Sequence, residues 1–242
     1  MPSNTTTFKK GFLNGIPIGL GYLSVSFAFG MMASTGGIPI WATIAISMTN
    51  LTSAGQIAGL GLILSGGSFI EMALTQLIIN MRYALMSLSL SQKFDKGVTF
   101  LHRLFISFGN TDEIFAVASS QSGDVGKKYM YGLIIAPYLG WTLGTAIGAI
   151  AGQALPASVC SALNIMIYGM FIAIFVPPAK SYSPVLKVVI LSIILSCLFT
   201  WVPGLTRISS GFVIIICTLI SASLGAVLFP VIDTEEGGAK DE

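Results

Sequence analysis

The stretch GFLNGIPIGLGYLSVSFAFGMMAS (residues 11–34) contains no charged side chain and directly follows Lys9 and Lys10. A helix of about 20 apolar residues is long enough to cross the hydrocarbon core of a bilayer. The stretch is also longer than the apolar core of a cleavable signal peptide, which has roughly 7–15 residues. It is therefore predicted to stay in the protein as a first transmembrane helix.

The composition of the whole chain resembles that stretch. Hydrophobic residues make up 54% of the 242 positions, charged residues 9%, and the mean hydropathy is +0.85, whereas soluble domains carry about 25% charged residues. We therefore expect an all-α, polytopic helical bundle, a single transmembrane domain (1–242) of about 6–8 spans surrounded by lipid. Further apolar runs occupy 40–64, 67–91, 129–151, 158–177, 185–202 and 207–231.

Residues 92–128 form a polar linker that separates two candidate halves, 11–91 and 129–202, and residues 231–242 form an acidic tail. The apolar part of the linker, 104–120, could lie at the membrane surface or form one more span. If every run were a full span, Lys93 and Lys96 would lie outside, against the positive-inside bias. We favour an irregular, Gly-rich 40–64 segment that enters and leaves by the same side, because the linker then returns to the cytoplasm.

Glycines recur at every fourth position in two of the apolar runs. Such spacing forms a smooth strip that lets another backbone approach closely. We expect these strips to be helix contacts, and their occurrence in both halves suggests an internal repeat. The glycines are Gly11, Gly15 and Gly19 in the first run and Gly140, Gly144, Gly148 and Gly152 in the other.

Ionisable residues are scarce within the apolar runs. Glu71 and Arg82 are eleven residues apart, so a continuous helix places both on one stripe that should face the protein interior. We expect Arg82 to be buried and paired with a carboxylate or with carbonyls at a broken helix. If the chain is a transporter driven by protons, the acidic residues that could carry the proton are Glu71, Asp112 and Glu113. The alternative is structural: Glu71 would pair with a polar group, and the other two acids would begin a helix at Thr111.

Neutral polar residues interrupt the run SMTNLTSAGQIAGLGLI (47–63). A helix broken there would expose backbone groups that bind the charged ends of a zwitterionic amino acid. Asn50, Ser53, Gly55 and Gln56 are therefore candidate substrate-binding residues. Their other interpretation is that they hold helices together.

Several classes of function find no support in the residue pattern. Lys and Arg occur singly or in pairs, so no nucleic acid is expected as a partner. The three cysteines lie in apolar runs without paired spacing, and the motifs of zinc proteases, serine hydrolases and P-loop enzymes do not occur. We expect no enzyme activity, no metal and no cofactor. Two alternatives to a transporter remain: a membrane-embedded scaffold, and an intramembrane enzyme.

Four blocks of the chain, in this order, resemble the AzlC family, the large subunits of bacterial branched-chain amino acid exporters. Tyr83 stands where the family usually has His, and Gln56 lies closer to the preceding Ala-Gly pair than is common. The resemblance spans about residues 11–230. Its blocks are GFLNGIPIGLGYLSVSFAFG (11–30), TSAGQIAGL (52–60), INMRYALMSLSLS (79–91) and NTDEIFAVA (110–118).

The resemblance implies a multi-pass secondary transporter of a bacterial inner membrane that exports leucine, isoleucine, valine and methionine on the proton gradient. It also implies a small membrane partner subunit of the AzlD type. The blocks that match family motifs add Asn80, Arg82 and Tyr83 to the candidate substrate-binding residues, and Asp112 and Glu113 fall in the block that resembles the family's acidic element.

Overall fold

The chain folds into ten α-helices and one short 3-10 turn in the computed structural model, which describes residues 7–230 and, for parts of 157–174, the backbone alone. The acidic tail, 231–242, lies outside the described residues. The helices are α1 (Phe8–Thr35), α2 (Ile40–Thr49), α3 (Ser53–Leu64), α4 (Phe69–Ser91), α5 (Phe100–Phe108), α6 (Asp112–Ser119), α7 (Lys127–Ala154), α8 (Ala157–Ser181), α9 (Ser183–Trp201) and α10 (Ser210–Leu228), with the 3-10 turn at Leu205–Arg207.

Six of these helices, each of 19 residues or more, are long enough to cross a bilayer, because 19 residues rise about 28 Å and the hydrocarbon core is about 30 Å thick. Four of the six, α1, α7, α9 and α10, are also apolar enough for a span by composition. The expected all-α membrane bundle is confirmed. So is the break in 40–64, where α2 ends at Thr49 and α3 begins at Ser53.

The contacts divide the chain into two compact units, Met1–Phe171 and Ile172–Glu242. In the second unit, α9 and α10 pack antiparallel, since the start of α9 meets the end of α10: Lys187 Nζ lies 5.0 Å from the ring centroid of Phe229. The first unit holds all the candidate functional residues. The halves 11–91 and 129–202 stay a prediction.

Glycines form the long contact between α1 and α7 in the first unit. A Cβ on Gly15 would lie 2.6 Å from the carbonyl oxygen of Leu133, and one on Gly19 would lie 2.7 Å from that of Ala136. Cβ atoms do not approach carbonyl oxygens so closely, so these positions require glycine. The other glycines of the two strips are equally crowded by the facing helix: Gly11, Gly140, Gly144, Gly148 and Gly152.

Helices α1 and α7 run parallel. Gly11 meets Tyr129 near the start of both helices, and Gly30 meets Thr145 much further along both. Both helices therefore begin at the same end of the unit.

The positive-inside bias assigns that shared end to the cytoplasm. The loop after α4 also lies there, because Val125, just before α7, donates its N–H to the carbonyl oxygen of Lys93 at 2.8 Å. Basic residues are enriched on the cytoplasmic side of membrane proteins. This end carries every Lys and Arg between Phe8 and Ala154 except Arg82, namely Lys9, Lys10, Lys93, Lys96, Arg103, Lys127 and Lys128.

Helices α2 and α3 form a re-entrant hairpin, here called the outer hairpin, with its tip at 50–52. Helix α2 is 10 residues long and rises about 15 Å, half the thickness of the hydrocarbon core. Its last turn reaches the middle of α7, where the hydroxyl of Tyr138 donates to the carbonyl oxygen of Met48 at 3.1 Å. Helix α3 then returns to the outer end of α1, where Leu64 contacts Gly36. The segment 40–64 thus enters and leaves by one side, as favoured from the sequence.

Helices α5 and α6 form a second hairpin, the inner hairpin, with its tip at 109–111, and it enters from the cytoplasmic side. Near its start, His102 Nε2 lies 3.1 Å from Lys127 Nζ. At its end, the carbonyl oxygen of Ser119 accepts a hydrogen bond from Lys93 Nζ. Neither alternative for 104–120 was right: the segment is not a full span and does not lie on the surface. The reason is the break at Gly109–Thr111, where the Thr111 side chain caps α6 and turns the chain back.

Candidate functional site

An ion pair in the middle of α4 joins this helix to the tip of the inner hairpin. Arg82 Nη2 lies 2.9 Å from Asp112 Oδ2, and the two side chains are 43% and 41% exposed. Other residues on the same stripe of α4 are buried, Glu71 to 4% and Leu90 to 1% exposed. The stripe therefore faces the protein at both ends, whereas the ion pair between them is partly exposed. The expected pairing of Arg82 is found, but its expected burial is wrong, because 43% of the side chain is exposed.

Tyr83 orients the guanidinium. Arg82 Nη2 donates to the Tyr83 hydroxyl at 3.0 Å, and Arg82 Cζ lies 4.9 Å from the centroid of the Tyr83 ring. A guanidinium that stacks on an aromatic ring and donates in its own plane keeps a defined direction. Tyr83 thus serves as a support for Arg82.

Glu113, next to Asp112, contacts a different helix. The Tyr22 hydroxyl of α1 is hydrogen-bonded to the Glu113 carboxylate and lies 2.7 Å from Thr111 Oγ1. The two neighbouring acids therefore have separate partners, a cation for Asp112 and a phenol for Glu113.

Trp141, at the midpoint of α7, contacts the side chains that hold both hairpin tips. Its ring packs edge-on against Tyr22, with the centroids 5.3 Å apart. Its Nε1–H donates to Gln56 Oε1 at 2.8 Å, and Gln56 Nε2 donates to Ser47 Oγ at 2.8 Å. Both ends of the Gln56 amide are thus bonded within the protein. Gln56 therefore links the outer hairpin to α7.

A small cavity of about 140 Å³, the outer cavity, lies beside the outer hairpin. Gln76 of α4 closes one side of it, donating to the Gly55 carbonyl oxygen at 2.8 Å and accepting from Asn80 Nδ2 at 3.0 Å. Sequence reasoning missed Gln76, although its position four residues before Asn80 puts both amides on one face of α4. The cavity is lined by Phe29, Ile46, Asn50, Gly55, Gln56, Gly59, Leu60, Ile63, Met72 and Gln76.

The remaining candidate residues fall into two groups. Asn80 is bonded to Gln76, which lines the outer cavity. Ser53 begins α3 without lining the cavity. Glu71 lies in the first turn of α4, where its N–H donates to Ser68 Oγ at 3.1 Å. Eleven residues of helix, about 16 Å, separate Glu71 from Arg82. The structure therefore brings Asp112, Glu113, Arg82 and Tyr83 together and leaves Glu71 apart.

Comparison with known proteins identifies the family. The model of the family described as AzlC protein matches residues 17–155, a range that includes both hairpins, α4 and α7. The chain belongs to the AzlC family. The resemblance inferred from the four blocks is thereby confirmed.

This AzlC-family chain has relatives in archaea and bacteria. It is 30% identical over 180 residues to a protein of Archaeoglobus fulgidus described as an uncharacterized membrane protein, an alignment that covers 74% of this chain and 78% of the relative. It is 28% identical over 177 residues to the inner membrane protein YgaZ of Escherichia coli, covering 70% and 72%. No solved structure matches. The chain is a multi-pass protein of the cell membrane.

Proposed function

We propose that this AzlC-family protein is the large subunit of a secondary transporter that exports leucine, isoleucine, valine and methionine across the inner membrane. The observation that supports it best is the pair of re-entrant hairpins, one from each side. The outer hairpin is bonded to Trp141 and the inner one to Tyr22, and these two rings pack on each other. The tip of the inner hairpin carries the ion pair with Arg82. Broken helices with polar side chains at mid-membrane are the usual construction of substrate sites in secondary transporters.

The ion pair supplies a means of coupling export to protons. A proton on Asp112 would neutralise the carboxylate and release the guanidinium of Arg82. The released guanidinium has the planar geometry that binds a carboxylate with two hydrogen bonds. In this mechanism, proton binding to Asp112 frees Arg82 for the carboxylate of the substrate.

The partner of the proposed transporter is a small membrane subunit of the AzlD type. This part of the proposal rests on membership of the AzlC family, and a transport assay therefore needs the chain with and without such a subunit.

Counterflow of labelled leucine into proteoliposomes tests the proposal. Purified chain with the partner should accumulate labelled leucine against unlabelled leucine inside, and an imposed pH gradient should increase the accumulation. Lysine, whose side chain is charged, serves as the control substrate and should not exchange. Absence of counterflow for all four amino acids, with and without the partner, would contradict the proposal.

A further inference from the structure

A second cavity, the inner cavity, lies between α4 and α5 and has a volume of about 320 Å³. Small-molecule sites usually measure roughly 300–1,000 Å³. The inner cavity lies within that range, whereas the outer cavity, about 140 Å³, lies below it. The α4 residues that line the inner cavity run from Ala84 to Ser91, between Arg82 and the cytoplasmic end of the helix. The inner cavity therefore lies on the cytoplasmic side of the ion pair.

Asn110, at the tip of the inner hairpin, lines this cavity and carries an unused hydrogen-bond acceptor. The side chain is 3% exposed, and its Nδ2 donates to Ser87 Oγ at 3.1 Å. Its Oδ1 is buried without a hydrogen-bond partner among the described residues. A buried acceptor left unpaired costs about 1–3 kcal/mol. A ligand that brings an N–H donor into the cavity removes that cost, and an ammonium group forms the stronger bond.

The rest of the lining favours a ligand that is both apolar and zwitterionic. Arg103 adds a positive charge, and its Cζ lies 5.7 Å from the ring centroid of Phe94. A guanidinium attracts a carboxylate and repels a simple amine. Most of the remaining wall is hydrocarbon, contributed by Ala84, Leu88, Leu90, Leu104 and Ile106.

From these observations we infer that the inner cavity is the cytoplasmic loading site for the exported amino acid, with Asn110 Oδ1 accepting from its ammonium group. The inference rests on the proposed function and deepens it, because it gives the substrate a separate site before the ion pair. The amino acid binds first in the inner cavity, and movement of the ion pair then lets it pass toward the outer cavity.

Thiol labelling tests this inference in inside-out and right-side-out membrane vesicles that contain the chain with an AzlD-type subunit. All three native cysteines, Cys160, Cys197 and Cys217, are first replaced by alanine. Ser107→Cys places a reporter in the wall of the inner cavity. Lys96→Cys, in the exposed cytoplasmic loop, is the matched control.

A membrane-impermeant methanethiosulfonate should label both reporters from the cytoplasmic face. Leucine should slow the labelling of Ser107→Cys at least fivefold and leave Lys96→Cys unchanged. Adding Asn110→Ala should raise the leucine concentration that half-protects Ser107→Cys about tenfold. Leu104→Trp, which fills the cavity from α5, should also remove protection. Elution of each variant at the parent position in fluorescence-detected size exclusion checks that it is folded.

Two results overturn the inference and differ from failure of the proposed function. Leucine counterflow without protection of Ser107→Cys would show that the substrate does not occupy the inner cavity. Protection that persists unchanged in Asn110→Ala would show that Asn110 does not hold the ligand. Absence of leucine counterflow in the parent protein would overturn both proposals together.

Discussion

Arg82 concentrates several interactions in one side chain, since it pairs with Asp112, donates to Tyr83 and stacks on the Tyr83 ring. Lysine would keep the charge but lose the planar fork. We expect Arg82→Lys to raise the leucine concentration for half-maximal counterflow about tenfold, equivalent to about 1.4 kcal/mol of binding free energy. Lys96→Arg, a conservative exchange in an exposed loop, should leave counterflow unchanged. Full activity of Arg82→Lys would mean that the fork has no role.

Asp112 and Glu113 offer a comparison between adjacent acids. Asp112 faces a cation and Glu113 a phenol, so only amidation of Asp112 imitates protonation that breaks an ion pair. We expect Asp112→Asn to abolish stimulation by a pH gradient and to retain leucine exchange, while Glu113→Gln keeps at least half of the gradient-driven export. The measurement is labelled leucine flux in proteoliposomes at equal protein content. Normal stimulation in Asp112→Asn would remove Asp112 from the coupling step.

The pairing of Arg82 with Asp112 was foreseeable only in part. An unpaired guanidinium in the membrane is costly, which predicts a partner for Arg82. Acidic residues outside the solvated loops are few, so only Glu71, Asp112 and Glu113 could be that partner. Asp112 becomes the partner because the inner hairpin brings it back to α4, thirty residues after Arg82. The sequence did not predict that hairpin. The polar contact of Gln56 with Trp141 was not predicted either, because it joins two segments far apart in sequence.

At the scale of elements, the contact between α1 and α7 depends on glycine. Leucine at Gly144 and Gly148 would collide with the backbone at Leu23 and Phe27. We expect the double variant Gly144→Leu, Gly148→Leu to accumulate at less than a tenth of the parent level, measured by fluorescence-detected size exclusion in detergent.

Gly21 supplies the control for that variant. It lies on α1, but a Cβ there has no neighbour within 4 Å. Gly21→Leu should therefore accumulate normally. Equal accumulation of the double variant and Gly21→Leu would contradict the glycine requirement.

Apolar runs predicted the long helices to within a few residues, because a hydrocarbon environment leaves a polar backbone few alternatives to helix. The outer hairpin was also indicated by its glycines and polar residues. The inner hairpin was not, although Thr111 followed by two acids was interpreted as a helix start, which the capping geometry confirms. The missing information was the end of α5 at Phe108, since Gly109 alone does not distinguish a bend from a continuous span.

At the scale of the whole molecule, the two hairpins predict opposite labelling. Ser65, after α3, lies at the outer end, and Lys96, before α5, lies at the cytoplasmic end. In a cysteine-free background, Ser65→Cys should react with an impermeant thiol reagent only in right-side-out vesicles, and Lys96→Cys only in inside-out vesicles. Labelling of both from one face would contradict the entry of the two hairpins from opposite sides.

The parallel contact of α1 and α7 also sets an order of events during synthesis. Gly19 and Gly140, which meet in the folded protein, are 121 residues apart. At about 5–20 residues per second, the ribosome reaches the second glycine roughly 6–24 s after the first. Throughout that interval the glycine strip of α1 faces lipid or the insertion machinery, and Gln56 of the outer hairpin has no Trp141 to bond. Assembly of the first unit therefore waits for α7, the helix that joins its two hairpins.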